Sequence, residues 1–460
     1  MWSVFEDRTW PCSRLRGHLL DSGQLYHAGL VALAWLSIGA LWEVNWDPEN
    51  HTDQVGRVIA ETGAGDTVLV GPGVYFEHIP IPPHPLVLLS SEGPTGTTLD
   101  GSVPIEGRQG SIVYALEAHL PALTITGFTF RGGTGSVIPD IHLAGGAIAL
   151  QACESCPAEI AIRNCMFEGN AAVSGWHGRG GALYIDGDAV RATVTDCVFR
   201  NNRAVSFGAH VGLHWGRAVF LRCEFDTRGE PALTGQAIRA HHTAHLRLED
   251  CTILGGDNLV YSYSIFTITN LVELIGNRLL DQGVPSATYV NLDRYEICCS
   301  YQEVVLRDNV FIGSEGPSDV PRVRIGPEEG RVTVEGNTFV DAKVSISVNS
   351  GSDLQFTRNI VKRTPVDIVY GPGGMFGCNN IWPDSTSVRI LCCDVEREHN
   401  ISADPLFCGE ATGDYRIAAE SPCAAGNAPA GCGQIGALGI GCSQTPVERL
   451  SWGKVKHLFR

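Results

Sequence analysis

The sequence predicts an all-β chain wound as one solenoid, and three observations predict it. A short element recurs along most of the 460 residues, stretches of strand-type alternation precede most of its copies, and Gly is abundant (54) while Met is scarce (3). No long Ala/Glu/Lys/Leu pattern of helical period accompanies these, so β structure with many tight turns is the better fit. Length alone suggests about three ordinary domains, but stacked repeats let several hundred residues share one body.

The recurring element is a triplet: Cys or Asn, any residue, then Phe or an aliphatic. It reads Cys165-Met166-Phe167, Cys197-Val198-Phe199, Cys223-Glu224-Phe225 and Cys251-Thr252-Ile253. It continues as Asn277-Arg278-Leu279, Asn309-Val310-Phe311, Asn337-Thr338-Phe339, Asn359-Ile360-Val361 and Asn380-Ile381-Trp382, with an earlier copy at Phe128-Thr129-Phe130. Successive copies lie 21 to 37 residues apart. The short spacing suits one coil of three strands and three turns, and the longer ones are turn insertions on the outside. Alternating runs such as Ile160-Ala161-Ile162 and Val332-Thr333-Val334 turn one side of each strand inward.

Equivalent positions on successive coils stack roughly 4.8 Å apart. Cys165, Cys197, Cys223 and Cys251 are therefore expected to form a column of small buried thiols. Asn277, Asn309, Asn337 and Asn359 should continue it, hydrogen-bonding along the stack and to turn backbone. The competing reading, a metal site of four cysteines, fails on geometry: one residue per coil makes a line, whereas zinc prefers a tetrahedron.

At the N-terminal side, Asp53 to Thr62 is a short amphipathic stretch with Val55, Val58 and Ile59 on one face, suited to covering the open β edge of a first coil. Next come GDTVLVGPGVYFEHI (65–79) and LVLLSSEGPTGTTLDG (86–101). These runs resemble the opening of pectin-lyase-like proteins, including the NosD-like periplasmic group, over roughly residues 53–442. The resemblance implies a single right-handed parallel β-helix with a short N-terminal capping helix (46–62), a helix body (63–400), an irregular Cys-rich closing segment (401–442) and a basic tail (443–460). It implies no one reaction, because that superfamily hosts lyases, hydrolases, epimerases and adhesins.

The closing segment contains Cys408, Cys423, Cys432 and Cys442 in a stretch rich in Gly, Pro and Ala, where covalent staples help most. Three pairings are open; Cys423–Cys432 with Cys408–Cys442 is the expected one. The neighbours Cys298-Cys299 and Cys392-Cys393 are too close for relaxed bridges, and Cys153 and Cys156 can close a CxxC loop. The tail Pro446 to Arg460 is basic and amphipathic, compatible with a disordered terminus or a surface contact.

Residues 1–45 are read as a signal or targeting segment: Arg8, Arg14 and Arg16 precede the apolar run Gly29 to Trp42, too short to span a membrane comfortably. The expected location is secreted, periplasmic or cell-surface, as a monomer with no stable membrane span. Sixteen Cys agree with an oxidising compartment. The net charge of −17, without a basic stripe, excludes nucleic acid as a partner.

Candidate chemistry concentrates between residues 176 and 245, which hold six of the fifteen His. The strands around Leu183, Val211 and Ile238 read as equivalents. With those three inward, Tyr184, Asp186, His214, Arg239 and His241 project outward, His210 belongs to the same face, and the loop Trp176-His177-Gly178-Arg179 overhangs it. Trp176, Trp215 and Tyr184 can stack on sugar rings, and Arg239 can hold a uronate carboxylate. His214, Arg239 or His241 can take the proton α to that carboxylate. Asp186 offers a ligand for Ca²⁺, the one cofactor these residues suggest. A one-residue slip would exchange the two faces, and a plain solvated face is the ordinary alternative. The function expected is binding, with lyase- or epimerase-like modification, of an extracellular polysaccharide. The alternative is a non-catalytic surface or adhesion protein.

Overall fold

A computed structural model describes residues 39–443 except 121, 139–141, 154, 174–177, 206–207, 229–236, 256–264, 281–289, 294–301, 314–322, 327–329, 349–352, 370–373, 384–387 and 392–396. The apolar run up to residue 38, Trp176, the pairs Cys298-Cys299 and Cys392-Cys393, and the tail 446–460 therefore lie outside the described residues.

The chain is nearly all-β and solenoid-like. Among the described residues, one sheet holds 23 strands and a second holds 12. In the second, strand order follows chain order from Gly73–Phe76 to Asn380–Trp382, each strand pairing in parallel with its equivalent in the next repeat, as Met166–Glu168 does with Val198–Arg200. The larger sheet contains two such ladders joined by long strands. Ile238–Glu249 pairs through its first half with Val211–His214 and through its second half with Arg217–Leu221.

Period-two patterning is what these strands obey. Ile160, Ala192 and Ala218 form one register column and Ile162, Val194 and Phe220 another, all buried. A column of aromatic rings runs through the smaller sheet: Phe130, Phe167, Phe199 and Phe225 stack with centroids 5.0, 4.7 and 4.9 Å apart, and Phe311 on Phe339 at 4.8 Å. That spacing is the distance between hydrogen-bonded strands, so the ring stack follows from the register.

The triplets sit at the corner between the two large sheets. The residue before each ladder position is left-handed: Asn164, Asp196, Arg222, Asp250, Asp308, Arg358 and Cys378 have φ between 48° and 58°. This bends the chain in one step, a conformation that Asn, Asp and Gly tolerate best. On the next rungs, Gly276 and Gly336 take the same place; a Cβ at Gly276 would lie 2.4 Å from Asp250 Oδ1.

Behind the bend, the four ladder thiols are buried, and each donates to the carbonyl two residues earlier, as Cys165 does to Arg163 at 3.2 Å and Cys251 to Glu249 at 3.4 Å. The backbone N–H of Cys251 then donates to Asn277 Oδ1 at 2.8 Å, and that of Asn277 to Asn309 Oδ1 at 2.9 Å. The series continues through Asn337 and Asn359 to Asn379 and Asn400. The last triplet is thus corrected by one residue. Asn379 carries the ladder, while Asn380 pairs with Ile360 in the sheet and donates to the carbonyl of Ala403.

The helix at the N-terminal side spans Gln54–Ile59, shorter than 46–62, and buries Val55 and Ile59. Glu77 reaches back to it and accepts the N–H groups of Val55 and Gly56 at 2.8 and 3.1 Å. Leu41–Val44 pairs with Asp66–Val70, and the Trp42 indole donates to Asp66 at 2.8 Å. The folded body therefore includes residues that the 1–45 boundary had assigned to a targeting segment.

The closing segment folds into a small sheet of Phe407–Gly409, Asp414–Ala418 and Ile440–Cys442. Phe407, Ile417 and Ile435 pack on Val310, Val340 and Ile360. Disulfides join Cys408 to Cys442, Cys153 to Cys156, and Cys378 to Cys432. The expected Cys423–Cys432 pair is corrected. Cys432 lies 5.4 Å (Cα–Cα) from Cys378, at the corner of a rung. Cys423 is a buried free thiol whose sulfur accepts from Asn380 Nδ2 at 3.0 Å. No helix among the described residues is long and apolar enough to cross a membrane.

Candidate functional site

Three neighbouring strands of the larger sheet, Leu183–Asp186, Val211–His214 and the start of Ile238–Glu249, build the candidate face. Leu183, Val211 and Ile238 form one buried register column. Beside it, Tyr184, Gly212 and Arg239 form a second, and Asp186, His214 and His241 a third. His241 is placed by its backbone register alone, and Trp176 falls outside the described residues.

Gly212 is what lets the aromatic ring lie between rungs: a Cβ there would stand 3.1 Å from Tyr184 Cδ2 and 2.9 Å from the backbone nitrogen of Gly180. The Tyr184 ring is fully buried against Ile138 and Ala144, with Leu116 at its margin. Ile138 and Ala144 come from the antiparallel pair Ser136–Ile138 and His142–Ala144, which covers this part of the sheet. Tyr184 is therefore corrected from sugar platform to supporting residue. Its hydroxyl donates to Asp186 Oδ2 at 3.3 Å, and burial, reinforced by the Asp186 charge, pushes its pKa up.

Asp186 Oδ1 meets His214 Nδ1 at 3.1 Å. Both side chains are mostly shielded, with 12% and 22% of their area exposed. Trp215, nearly half exposed, lies with its ring centroid 5.5 Å from that of His214. Arg239 is half-buried; burial and then the positive charge of Arg179 lower its guanidinium pKa to about 10. Arg179 belongs to the stretch that precedes Leu183–Asp186, and its N–H and C=O bond to Leu143 and Gly145. Arg179 and Arg239 are thus near enough to act on each other electrostatically, and Arg239 sits on the rung next to the His214–Asp186 pair.

His210 does not belong to this face. It is fully buried beside the stacked rings of Phe199 and Phe225, tilted against both with centroids 6.2 and 6.3 Å away. Its Nδ1 faces Asn202 Nδ2 at 3.3 Å and its Nε2 the carbonyl of Asp226 at 3.1 Å. There it terminates a second, shorter amide ladder, in which Asn170 donates to Asn202 Oδ1. Burial lowers its pKa to about 4, so the ring is neutral near pH 7. Simple alternation places residue 210 outward, but the turn at Gly208 and Ala209 swings it in before the strand begins.

Ca²⁺ does not suit Asp186. Both of its oxygens already accept from Tyr184 and His214, where a calcium site gathers several carboxylate and carbonyl oxygens.

A cavity of about 250 Å³ lies elsewhere, along the corner column, lined by Glu335, Thr357, Arg358, Met375, Gly377, Cys378, Glu398 and His399. Sequence reading passed over it because its residues come from four rungs, and the left-handed position before each ladder residue was not yet recognisable as a column.

No protein-family model matches this chain, and no curated protein matches it.

Proposed function

We propose that the chain is a single right-handed parallel β-helix of pectin-lyase-like architecture, exported from the cell, that binds and modifies an extracellular polysaccharide bearing uronate carboxylates. The observation that carries this reading is the His214–Asp186 contact on the rung next to Arg239. The two arginines hold the carboxylate and neutralise charge building on it, while the exposed Trp215 offers a stacking surface. Asp186 holds the His214 imidazole in place, suiting it to take the proton α to the carboxylate. In a lyase the released electron pair forms a C=C bond as the neighbouring glycosidic C–O bond breaks, and the departing oxygen keeps that bond's electrons and takes up a proton. In an epimerase a proton returns to the opposite face. Disulfides in the closing segment support an oxidising compartment, and a local basic site explains how a chain of net charge −17 can attract an acidic polymer.

The test is affinity electrophoresis of the purified protein in gels containing polygalacturonate, alginate or a neutral glucan, with ultraviolet absorbance monitoring unsaturated products. Retardation by the uronates, lost in Arg239→Ala, supports the reading. Retardation without any product or epimer favours the non-catalytic surface protein. Equal mobility in all gels overturns both.

A further inference from the structure

The corner column continues past the disulfide. Cys378 and His399 are both left-handed, at φ 58° and 57°, and each precedes a ladder asparagine, Asn379 and Asn400. The Cys378 N–H donates to the carbonyl of Glu398 at 2.9 Å, and the Asn379 N–H to Asn400 Oδ1 at 2.9 Å. The two residues therefore hold the same place on neighbouring rungs. Cys432 arrives from the closing segment, and one donor atom from each of Cys378, His399 and Cys432 lies within 4.8 Å of the others. Cys378 and His399 also line the cavity, together with Glu335, Arg358 and Glu398.

We infer that these three residues form a redox-gated site for a thiophilic divalent cation of the zinc class. Two sulfurs and an imidazole with a cavity alongside match the pattern of zinc sites with three protein ligands and one open position. Thiolate donors favour such a cation over Ca²⁺ or Mg²⁺. In the disulfide state the sulfurs bind each other and the site is closed. A dithiol or a phosphine supplies two electrons and the S–S bond breaks; each sulfur takes up a proton, from the dithiol as it closes to its own disulfide, or from a water whose oxygen the phosphine keeps as its oxide. The cation then displaces both thiol protons, binds the two thiolates and His399, and leaves its fourth position to water in the cavity. Cys432 is buried while Cys378 is half-buried beside the cavity, so Cys378 is the sulfur open to attack.

His119 with Cys153 and Cys156 offers the same donor set, so the test uses the full chain with Cys153→Ser and Cys156→Ser. After phosphine reduction, iodoacetamide labelling is followed at each cysteine by mass spectrometry with and without Zn²⁺. Expected is labelling slowed more than about tenfold at Cys378 and Cys432 together. Co²⁺ should give thiolate charge-transfer bands, with binding weakened more than about tenfold by His399→Ala. Far-ultraviolet circular dichroism reports whether the reduced chain keeps its sheets. Equal labelling with and without Zn²⁺, protection retained in urea, or Co²⁺ binding indifferent to His399→Ala each overturns the inference.

Discussion

The side-chain amide of Asn309 donates to Asn337 Oδ1 at 3.0 Å, and the same oxygen accepts the Asn309 backbone N–H at 2.9 Å. Asn337 in turn donates to the carbonyls of Leu306 and Glu335. One amide thus satisfies polar groups on two rungs inside a buried corner. Asn337→Ala leaves the Asn309 N–H groups and a carbonyl unsatisfied, and each such group costs about 1–3 kcal/mol. Hydrogen exchange should speed at the amides of Asn309 and its neighbours while those of the first rungs stay protected. Uniform exchange along the chain would refute a ladder that acts rung by rung.

Phe199 sits between Phe167 and Phe225 at 4.7 and 4.9 Å. Phe199→Ala should cost about 3–5 kcal/mol, because rungs held by backbone pairing cannot collapse into the void. Phe199→Leu should recover more than half of that in urea unfolding.

Glu77 has its carboxyl pKa raised to about 7, mainly by burial and against the pull of the Val55 and Gly56 N–H groups. A carboxyl group raised in the folded state favours folding when protonated. Its contribution is complete below the ordinary glutamate value of about 4.3 and is lost as pH rises through about 7. The helix Gln54–Ile59 should therefore exchange its amides more readily at pH 8 than at pH 5 after correction for intrinsic rates. Glu77→Gln should flatten that difference; an unchanged pH dependence would assign it to another group.

His214→Asn should abolish turnover of a uronate polymer while keeping affinity within about tenfold, because truncating a general base removes transition-state stabilisation above all. Arg239→Ala should weaken binding itself, and Arg239→Lys should rescue it only in part, since a lysine cannot form a two-pronged contact. His210→Gln separates the buried histidine from this face: it should lower thermal stability and leave retardation by uronates unchanged.

Much of this molecule could be read from residue order. Period two, the Cys and Asn column and the equivalence of Leu183, Val211 and Ile238 are local patterns repeated at a legible interval, and parallel pairing carries one strand's alternation to the next. Reading failed where the alternation stops. His210 enters the core because a glycine turn precedes its strand. The ladder passes to Asn379 because a left-handed residue precedes every ladder position, and at that rung it is Cys378.

By itself, then, the sequence determined that short strands repeat and which side of each faces inward, since both depend on neighbours within a few residues. Only the tertiary structure decided that Tyr184 is covered, that Arg179 joins Arg239, that Cys432 bonds Cys378 and not Cys423, and that His399 stands beside them. Those contacts join residues tens of positions apart through turns of unequal length, and no local periodicity encodes what such turns bring together.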